Sequence, residues 1–299
     1  MNLPLGVDIN NLLNDLRGLS WEAADILLYY SKQFRNEKPK KDLTQIKVNN
    51  EPVTEADLKV NSLIIKKISE KYQQVKWHLL SEENGIIKFN NVNINTNWLW
   101  VLDPLDGTRD FIQNTSNYAL HLALNYKNKP QIGIVLIPER EELWIANNKS
   151  VWCEDRRGLR TNPKLSNTKE IHNMKIVTSK NHKNETLKNI IQKLGFKESI
   201  NMGSIGCKIA SMLRGESDIY ISLSLPGKSC PKDWDFAAPD TLLRSAGGRI
   251  TNLDNEELKY NKPNFEQKGF IVASNNKENH KKICKQIKLI LKENKIIIN

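Results

Sequence analysis

Cysteine, glycine and aromatic residues are all scarce: of 299 residues, 4 are Cys and 14 Gly, and Phe, Trp and Tyr together make up 7%. No two of Cys153, Cys207, Cys230 and Cys284 form a CxxC pair, and no His stands at zinc-finger spacing from them, which excludes a zinc ribbon or finger. A chain of this length builds a core without disulfides, so these thiols are expected to be reduced. The low glycine content excludes a collagen-like fibre. No apolar run approaches the ~20 residues of a membrane-spanning helix. The opening stretch MNLPLGVDINNLL lacks the basic segment and apolar run of a signal peptide. These absences together predict a cytoplasmic protein without a membrane span. There is no internal repeat and no low-complexity linker.

What is present is an ordinary globular composition, 39% hydrophobic and 26% charged, which excludes disorder. The charge is unbalanced: 45 Lys+Arg against 34 Asp+Glu give +11. Such an excess can be the footprint of a nucleic-acid partner. That reading requires basic residues clustered with aromatics on one face. Here Lys is spread along the whole chain, so a nucleic-acid polymer is not expected.

The apolar spacing predicts a long helix from Ile9 to about Phe34, on Leu12, Leu13, Leu16, Leu19, Ala23, Ile26, Leu27 and Tyr30. The Lys-rich segment 35–51 reads as a loop. Thr54 reads as the N-cap of a second helix carrying Val60, Leu63, Ile64 and Ile68. Strands follow at Trp77–Leu80, Trp98–Leu102, Tyr118–Tyr126 and Gln131–Ile137, with Leu143–Ala146 extending a meander. Past Cys153 the rhythm becomes alternating. Strands are predicted near Lys175–Thr178, Asp218–Leu223 and Phe270–Ala273, with helices at Glu185–Leu194, Ser204–Arg214, Trp234–Ala246 and Glu278–Leu291. Gly247-Gly248 ends the third of these helices. The pattern is an α+β half, residues 1–155, joined to an α/β half, residues 156–299, near the polar segment Glu154–Lys164.

The acidic residues carry the chemistry. Asp103-Pro104-Leu105-Asp106-Gly107-Thr108 directly follows an apolar strand and places two carboxylates at its end, where Pro104 and Gly107 restrict and bend the backbone. Close carboxylates repel unless a cation lies between them, and Mg²⁺ prefers oxygen ligands. Gly107 and Thr108 can offer backbone N–H groups to a phosphate if a turn or helix starts there. Glu82-Glu83 likewise follows a strand, Asp57 lies one turn into a helix, and Asp235 follows Trp234 where a helix begins. Singly, each has a bland reading as a cap or a solvated end. Together they fit carboxylates from both halves converging on a metal cluster in one cleft.

Val53-Thr54-Glu55-Ala56-Asp57, Ser81-Glu82-Glu83, Trp100-Val101-Leu102-Asp103-Pro104-Leu105-Asp106-Gly107-Thr108 and Trp234-Asp235-Phe236-Ala237-Ala238 occur in that order. In these motifs the chain resembles the inositol monophosphatase superfamily of lithium-sensitive, magnesium-dependent phosphatases, over nearly its whole length. The resemblance implies a layered α/β/α/β/α sandwich of the inositol monophosphatase/fructose-1,6-bisphosphatase type. It implies Glu82, Asp103, Asp106 and Asp235 as side-chain ligands, Leu105 as a carbonyl ligand, and about two or three Mg²⁺ ions. Asp103 would bridge two of them. Thr108 and Asp57 would position and deprotonate the attacking water, and Glu83 would stand behind Glu82.

The substrate is expected to be a small phosphorylated molecule. Arg109-Asp110-Phe111 and Gly203-Ser204-Ile205-Gly206-Cys207-Lys208 are similar to the 3'(2'),5'-bisphosphate nucleotidase branch of the family. That branch converts 3'-phosphoadenosine 5'-phosphate, a by-product of sulfate activation in sulfur metabolism, to AMP and phosphate. Gly107, Thr108, Ser204, Asp235 and Lys208 are the candidate substrate contacts, with Lys208 reading the second phosphate and Lys228 and Lys232 behind it. The alternative is an inositol or sugar monophosphatase. Those enzymes place an acid before their Trp-Asp to hold a sugar hydroxyl. Here Pro226-Gly227-Lys228-Ser229-Cys230-Pro231-Lys232 stands in that place, unless Asp233 takes the acid's part. The family also allows a homodimer.

Overall fold

A computed structural model describes residues 3–36, 43–47, 52–89, 96–180, 184–225 and 227–294. Helix α1 (Ile9–Asn36) and helix α2 (Glu55–Lys71) each present one apolar stripe. The stripes cover one face of an eight-stranded sheet, burying Leu12, Leu16, Leu27, Val60, Ile64 and Ile68 among Trp77, Trp100, Leu102 and Leu122. Strands β3 (His78–Ser81), β4 (Gly85–Lys88), β5 (Trp98–Asp106), β6 (Ala119–Tyr126), β7 (Lys129–Ile137), β8 (Glu142–Ala146), β9 (Val151–Glu154) and β10 (Arg160–Thr161) form that sheet. Their order is β10-β9-β8-β7-β6-β5-β3-β4. All neighbours are antiparallel except β3 and β5, which run parallel. β1 (Thr44–Ile46) and β2 (Pro52–Thr54) make a separate two-stranded ribbon.

The second sheet is five-stranded. It contains β11 (Lys175–Ser179), β12 (Glu198–Met202), β13 (Ile219–Ser224), β14 (Arg249–Thr251) and β15 (Gly269–Ser274), in the order β12-β11-β13-β15-β14. Helices α5 (Ile205–Leu213) and α6 (Asp233–Ser245) lie between the sheets. They bury Ile209, Leu213, Phe236 and Leu242 against Leu80, Val101 and Val135 on one side and Tyr220 and Ile271 on the other. Helices α4 (Glu185–Leu194) and α7 (Lys277–Glu293) close the outer face over Ile176, Ile219 and Val272. The layers run α/β/α/β/α, as the resemblance implies. No helix among the described residues is long and apolar enough to cross a membrane.

The predicted helices and strands are present, most within one or two residues of their expected ends. Seven strands fall outside the prediction: β1, β2, β4, β9, β10, β12 and β14. β4, β10, β12 and β14 are the edges of the two large sheets, whereas β9 is interior and buried along its whole length, so it shows no alternation either. β4 and β12 contain no buried residue, and β10 is exposed throughout. Without a buried face there is no alternation to read. β1 lies within the loop expected over 35–51 and pairs with β2 just after it; residues 37–42 and 48–51 lie outside the described residues, as does Pro226. Strand β10 lies past residue 155 yet pairs with β9, so the large sheet runs through Thr161.

Candidate active site

The parallel pairing of β3 with β5 builds one wall of the site. Ser81 pairs with Leu102, so the next residues, Glu82 and Asp103, stand side by side where β3 ends. The Glu82 N–H donates to the Leu102 carbonyl at 3.1 Å. Past Asp103, β5 is irregular between Asp103 and Asp106, where Pro104 interrupts regular pairing with β6. The Leu105 N–H turns back to Asp103 Oδ1 at 3.1 Å. Gly107 has φ +91° and starts helix α3 (Thr108–Ile112). A Cβ there would stand 2.8 Å from the Asn117 carbonyl, so residue 107 must lack a side chain on both counts.

Helix α6 completes the cluster. Asp235 lies in its first turn and accepts from the Lys232 N–H at 2.5 Å. One ligand atom from each of Asp103, Asp106 and Asp235 lies within 4.8 Å of the others. Asp103 and Asp106 are buried and Asp235 is half-buried. Burial, then Glu82, Asp106 and Asp235, push the Asp103 carboxyl well above the usual range. Burial also acts to raise Asp106, yet Asp106 is held below its ordinary value, first by the nearby His121 imidazole and then by Lys208 and the Ser204 hydroxyl. An all-oxygen donor set crowded out of water is what a hard divalent cation fits, and these three residues could hold one.

Beside the cluster stands the pair Asp57 and Thr108. Thr54 caps α2: its N–H and hydroxyl both donate to Asp57 Oδ2, at 2.8 and 2.6 Å, while its Oγ1 accepts from the Ala56 N–H. This reciprocal cap leaves Asp57 Oδ1 facing Thr108 Oγ1 at 3.4 Å. The Thr108 hydroxyl is also 3.1 Å from the Leu105 carbonyl, and its single proton serves one of the two. Burial pushes the Asp57 carboxyl up to about 7 despite the Thr54 bonds, and Glu82 and Glu83 add to the rise.

The residues expected to face substrate are distributed differently. The Ser204 hydroxyl is fully buried and donates to Asp106 Oδ2 at 2.6 Å; it also accepts from the Cys207 N–H, capping α5. Lys208 is equally buried: its ammonium donates to the Gly203 carbonyl at 2.6 Å and lies 5.3 Å from the Tyr220 ring centre. Burial lowers Lys208 to about 8. Asp110 is buried against Thr115 and Phe111 against Phe34 and Tyr118, so of that tripeptide Arg109 alone is exposed. Asp233 is buried too, accepting from the Asn261 N–H and, at 2.6 Å, from Gln267 Nε2. It is not free to take a sugar hydroxyl.

Two site residues escaped the sequence analysis. Lys47, just after β1, places its ammonium 2.8 Å from Glu82 Oε1 and 2.7 Å from Glu83 Oε1. Glu83 is thereby tied to the same cation as Glu82. One Lys among many carries no sequence signal. His121 stands on β6, opposite Asp103 in the sheet. Its signal was legible: a single imidazole in the otherwise apolar run Ala119–Leu124, close after the DPLDGT turn.

Comparison with known proteins agrees with this geometry. The model of the inositol monophosphatase family matches residues 8–292. This chain belongs to that family. Its curated relatives include the 3'(2'),5'-bisphosphate nucleotidase CysQ of Buchnera aphidicola, 29% identical over 252 residues, which are 83% of this chain and 87% of that protein. The CysQ nucleotidase of Haemophilus influenzae is 29% identical over 259 residues, 84% of this chain and 88% of the relative. Among solved structures, the extragenic suppressor protein suhB of Bartonella henselae superposes with a TM-score of 0.75 at 22% identity, covering 93% of this chain and 98% of its own. An IMPase of Thermotoga maritima gives 0.73 at 18% identity, covering 95% and 99%. At these identities the structures establish the fold.

Proposed function

We propose that this chain is a Mg²⁺-dependent phosphomonoesterase acting on a nucleoside 3',5'-bisphosphate, releasing the 3'-phosphate to leave the 5'-monophosphate. The convergence of Asp103, Asp106 and Asp235 within 4.8 Å beside the Asp57–Thr108 pair carries the reading. Glu82, Asp103 and the Leu105 carbonyl would hold one ion, and Asp103, Asp106 and Asp235 a second. Bound there, Mg²⁺ supplies Lewis-acid polarisation of the phosphoryl group and relieves the repulsion among the carboxylates.

The chain's own residues handle the proton. Thr108 Oγ1 takes a proton from the attacking water as the water oxygen bonds to phosphorus and the ester oxygen leaves, the latter taking a proton from a solvent water to give the 3'-hydroxyl. The Thr108 proton passes to Asp57 Oδ1, the oxygen that Thr54 leaves unbonded. The N–H groups of Gly107 and Thr108 meet the charge on the phosphoryl oxygens. Both lie at the start of α3, where Gly107's positive φ turns the backbone.

Two observations favour the bisphosphate over an inositol or sugar phosphate. The curated relatives above are named as 3'(2'),5'-bisphosphate nucleotidases. The acid nearest the Trp-Asp motif, Asp233, is spent on Asn261 and Gln267. The segment before it supplies the exposed Lys228 instead, suited to a second dianion, whereas Lys232 is paired with Glu266 at 3.2 Å. The test is phosphate release from 3'-phosphoadenosine 5'-phosphate and from inositol 1-phosphate, side by side with Mg²⁺. A kcat/KM at least about tenfold higher for the nucleotide is expected. A preference for inositol 1-phosphate would overturn the substrate assignment, and hydrolysis that persists in EDTA would overturn the metal chemistry.

A further inference from the structure

His121 is completely buried in the middle of the large sheet, and the chemistry described above does not use it. Its ring contacts one of the three clustered acids and the residue just before another. Nε2 stands 3.1 Å from Asp106 Oδ2, off the line of an aligned hydrogen bond, and Nδ1 lies 3.4 Å from the Trp234 carbonyl, one residue before Asp235. Asp106 Oδ2 is otherwise bonded by Ser204 Oγ at 2.6 Å and by the Gly206 N–H at 3.1 Å. That oxygen is therefore enclosed from behind by β6 and by the first turn of α5. Among the described residues no hydrogen-bond donor occupies Oδ1, which leaves it as the oxygen available to a cation.

Helix α5 can approach this closely because residue 206 has no side chain. A Cβ on Gly206 would fall 2.3 Å from His121 Nε2 and 2.8 Å from Val135 Cγ1. His121 and Gly206 thus form one docked contact joining β6 to α5, with Asp106 beside it and the start of α6 on the far side of the ring.

We propose that His121 is a positioning residue for metal binding, holding Asp106 and the Asp235-bearing start of α6 in the geometry that a divalent cation requires. The proposal rests on the magnesium-phosphatase reading above. Groups that orient metal ligands from behind are worth about 10–100-fold in metal affinity when removed. A ring that merely filled space would contribute to stability and leave that affinity alone.

The experiment measures Mn²⁺ binding to the full chain by calorimetry, alongside thermal unfolding in EDTA. His121→Leu keeps an apolar filling and is expected to weaken Mn²⁺ binding about tenfold or more. His121→Gln, whose amide nitrogen reaches toward the position of Nε2, is expected to restore binding to within about threefold. Gly206→Ala keeps the imidazole but crowds it, and is expected to weaken Mn²⁺ binding as His121→Leu does. Wild-type affinity in His121→Leu overturns the proposal. So do equal losses of affinity and of Tm in both His121 variants, which mark a packing role. If His121→Leu does not fold, wild-type affinity in Gly206→Ala overturns it equally. A wild-type chain that binds no Mn²⁺ brings down the phosphatase reading itself, a result distinguishable from all of these.

Discussion

Ser81 pairs with Leu102 in parallel register, and this pairing sets Glu82 and Asp103 side by side where β3 ends. Two carboxylates delivered by adjacent parallel strands cannot separate without unzipping β3 from β5. The cost appears at Asp103, whose carboxyl is pushed far up by burial and by Glu82, Asp106 and Asp235. Carboxylates this close repel unless a cation joins them, and the packing of β3, β5 and α6 fixes the elements that carry them.

Asp106→Asn separates fold from function. Ser204 Oγ and the Gly206 N–H both donate to Asp106 Oδ2, and an amide oxygen at the same place accepts them equally. The variant should therefore match the wild type in circular dichroism and in Tm measured in EDTA. Its kcat should fall by at least ~10³-fold, because several kcal/mol of transition-state stabilisation leave with the ion. Millimolar Mg²⁺ should raise the Tm of the wild type and not that of the variant. Full activity in Asp106→Asn would remove the carboxylate-cluster mechanism.

Thr54 links local structure to the proposed proton path. Its hydroxyl caps α2 through Ala56 and donates to Asp57, fixing which carboxylate oxygen faces Thr108. Thr54→Val keeps the shape and the backbone N–H donor but deletes the hydroxyl. Loss of the cap should destabilise the chain by ~1 kcal/mol, read by urea unfolding. Turnover should fall about 10–100-fold with KM little changed, since the group held in place serves the chemical step. Thr54→Ser should recover both properties. A variant that loses stability and keeps kcat would show that the cap does not orient Asp57.

The acids that converge, and Asp57 beside them, were legible as candidates because each stands at a strong local signal. Trp98–Leu102 is an unmistakable buried strand, Pro104 and Gly107 mark its end, and Thr54 reads as a cap. What joins these points was not legible. β3 and β5 are neighbours although β4 intervenes in the chain, and α6 approaches from the other half of the sequence. Lys47 acquires meaning through such long-range placement alone, and the lone imidazole of His121 finds its partner only there. For Lys208 and Ser204 the motif was visible but their burial was not. A Lys in a helical segment reads as exposed until the helix is known to be buried on all sides, as α5 is between the two sheets. β12 and β14 were missed because an edge or a three-residue strand has no period to detect.

His280 is expected to make the fold sensitive to acid. It is buried in α7, with Nε2 2.6 Å from Thr251 Oγ1 and Nδ1 2.8 Å from Ser274 Oγ. The Thr251 hydroxyl also bonds the Asn252 carbonyl at 2.6 Å, and a neutral imidazole satisfies both partners by donating at Nε2 and accepting at Nδ1. Burial first, and the charge of Arg249 second, lower His280 from 6.5 to about 4. The unfolded chain therefore binds a proton that the folded chain refuses. The stability tied to this residue is whole above pH ~6.5 and declines as the pH falls toward ~4, by up to ~3 kcal/mol. Urea unfolding of the wild type and of His280→Gln at a series of pH values between 7 and 4 measures the difference. The variant should be less stable at pH 7, where it loses the fitted imidazole. Its curve should fall less steeply with acid, so the gap between the two closes. Parallel curves would mean that carboxylates elsewhere set the acid limit and that His280 contributes packing alone.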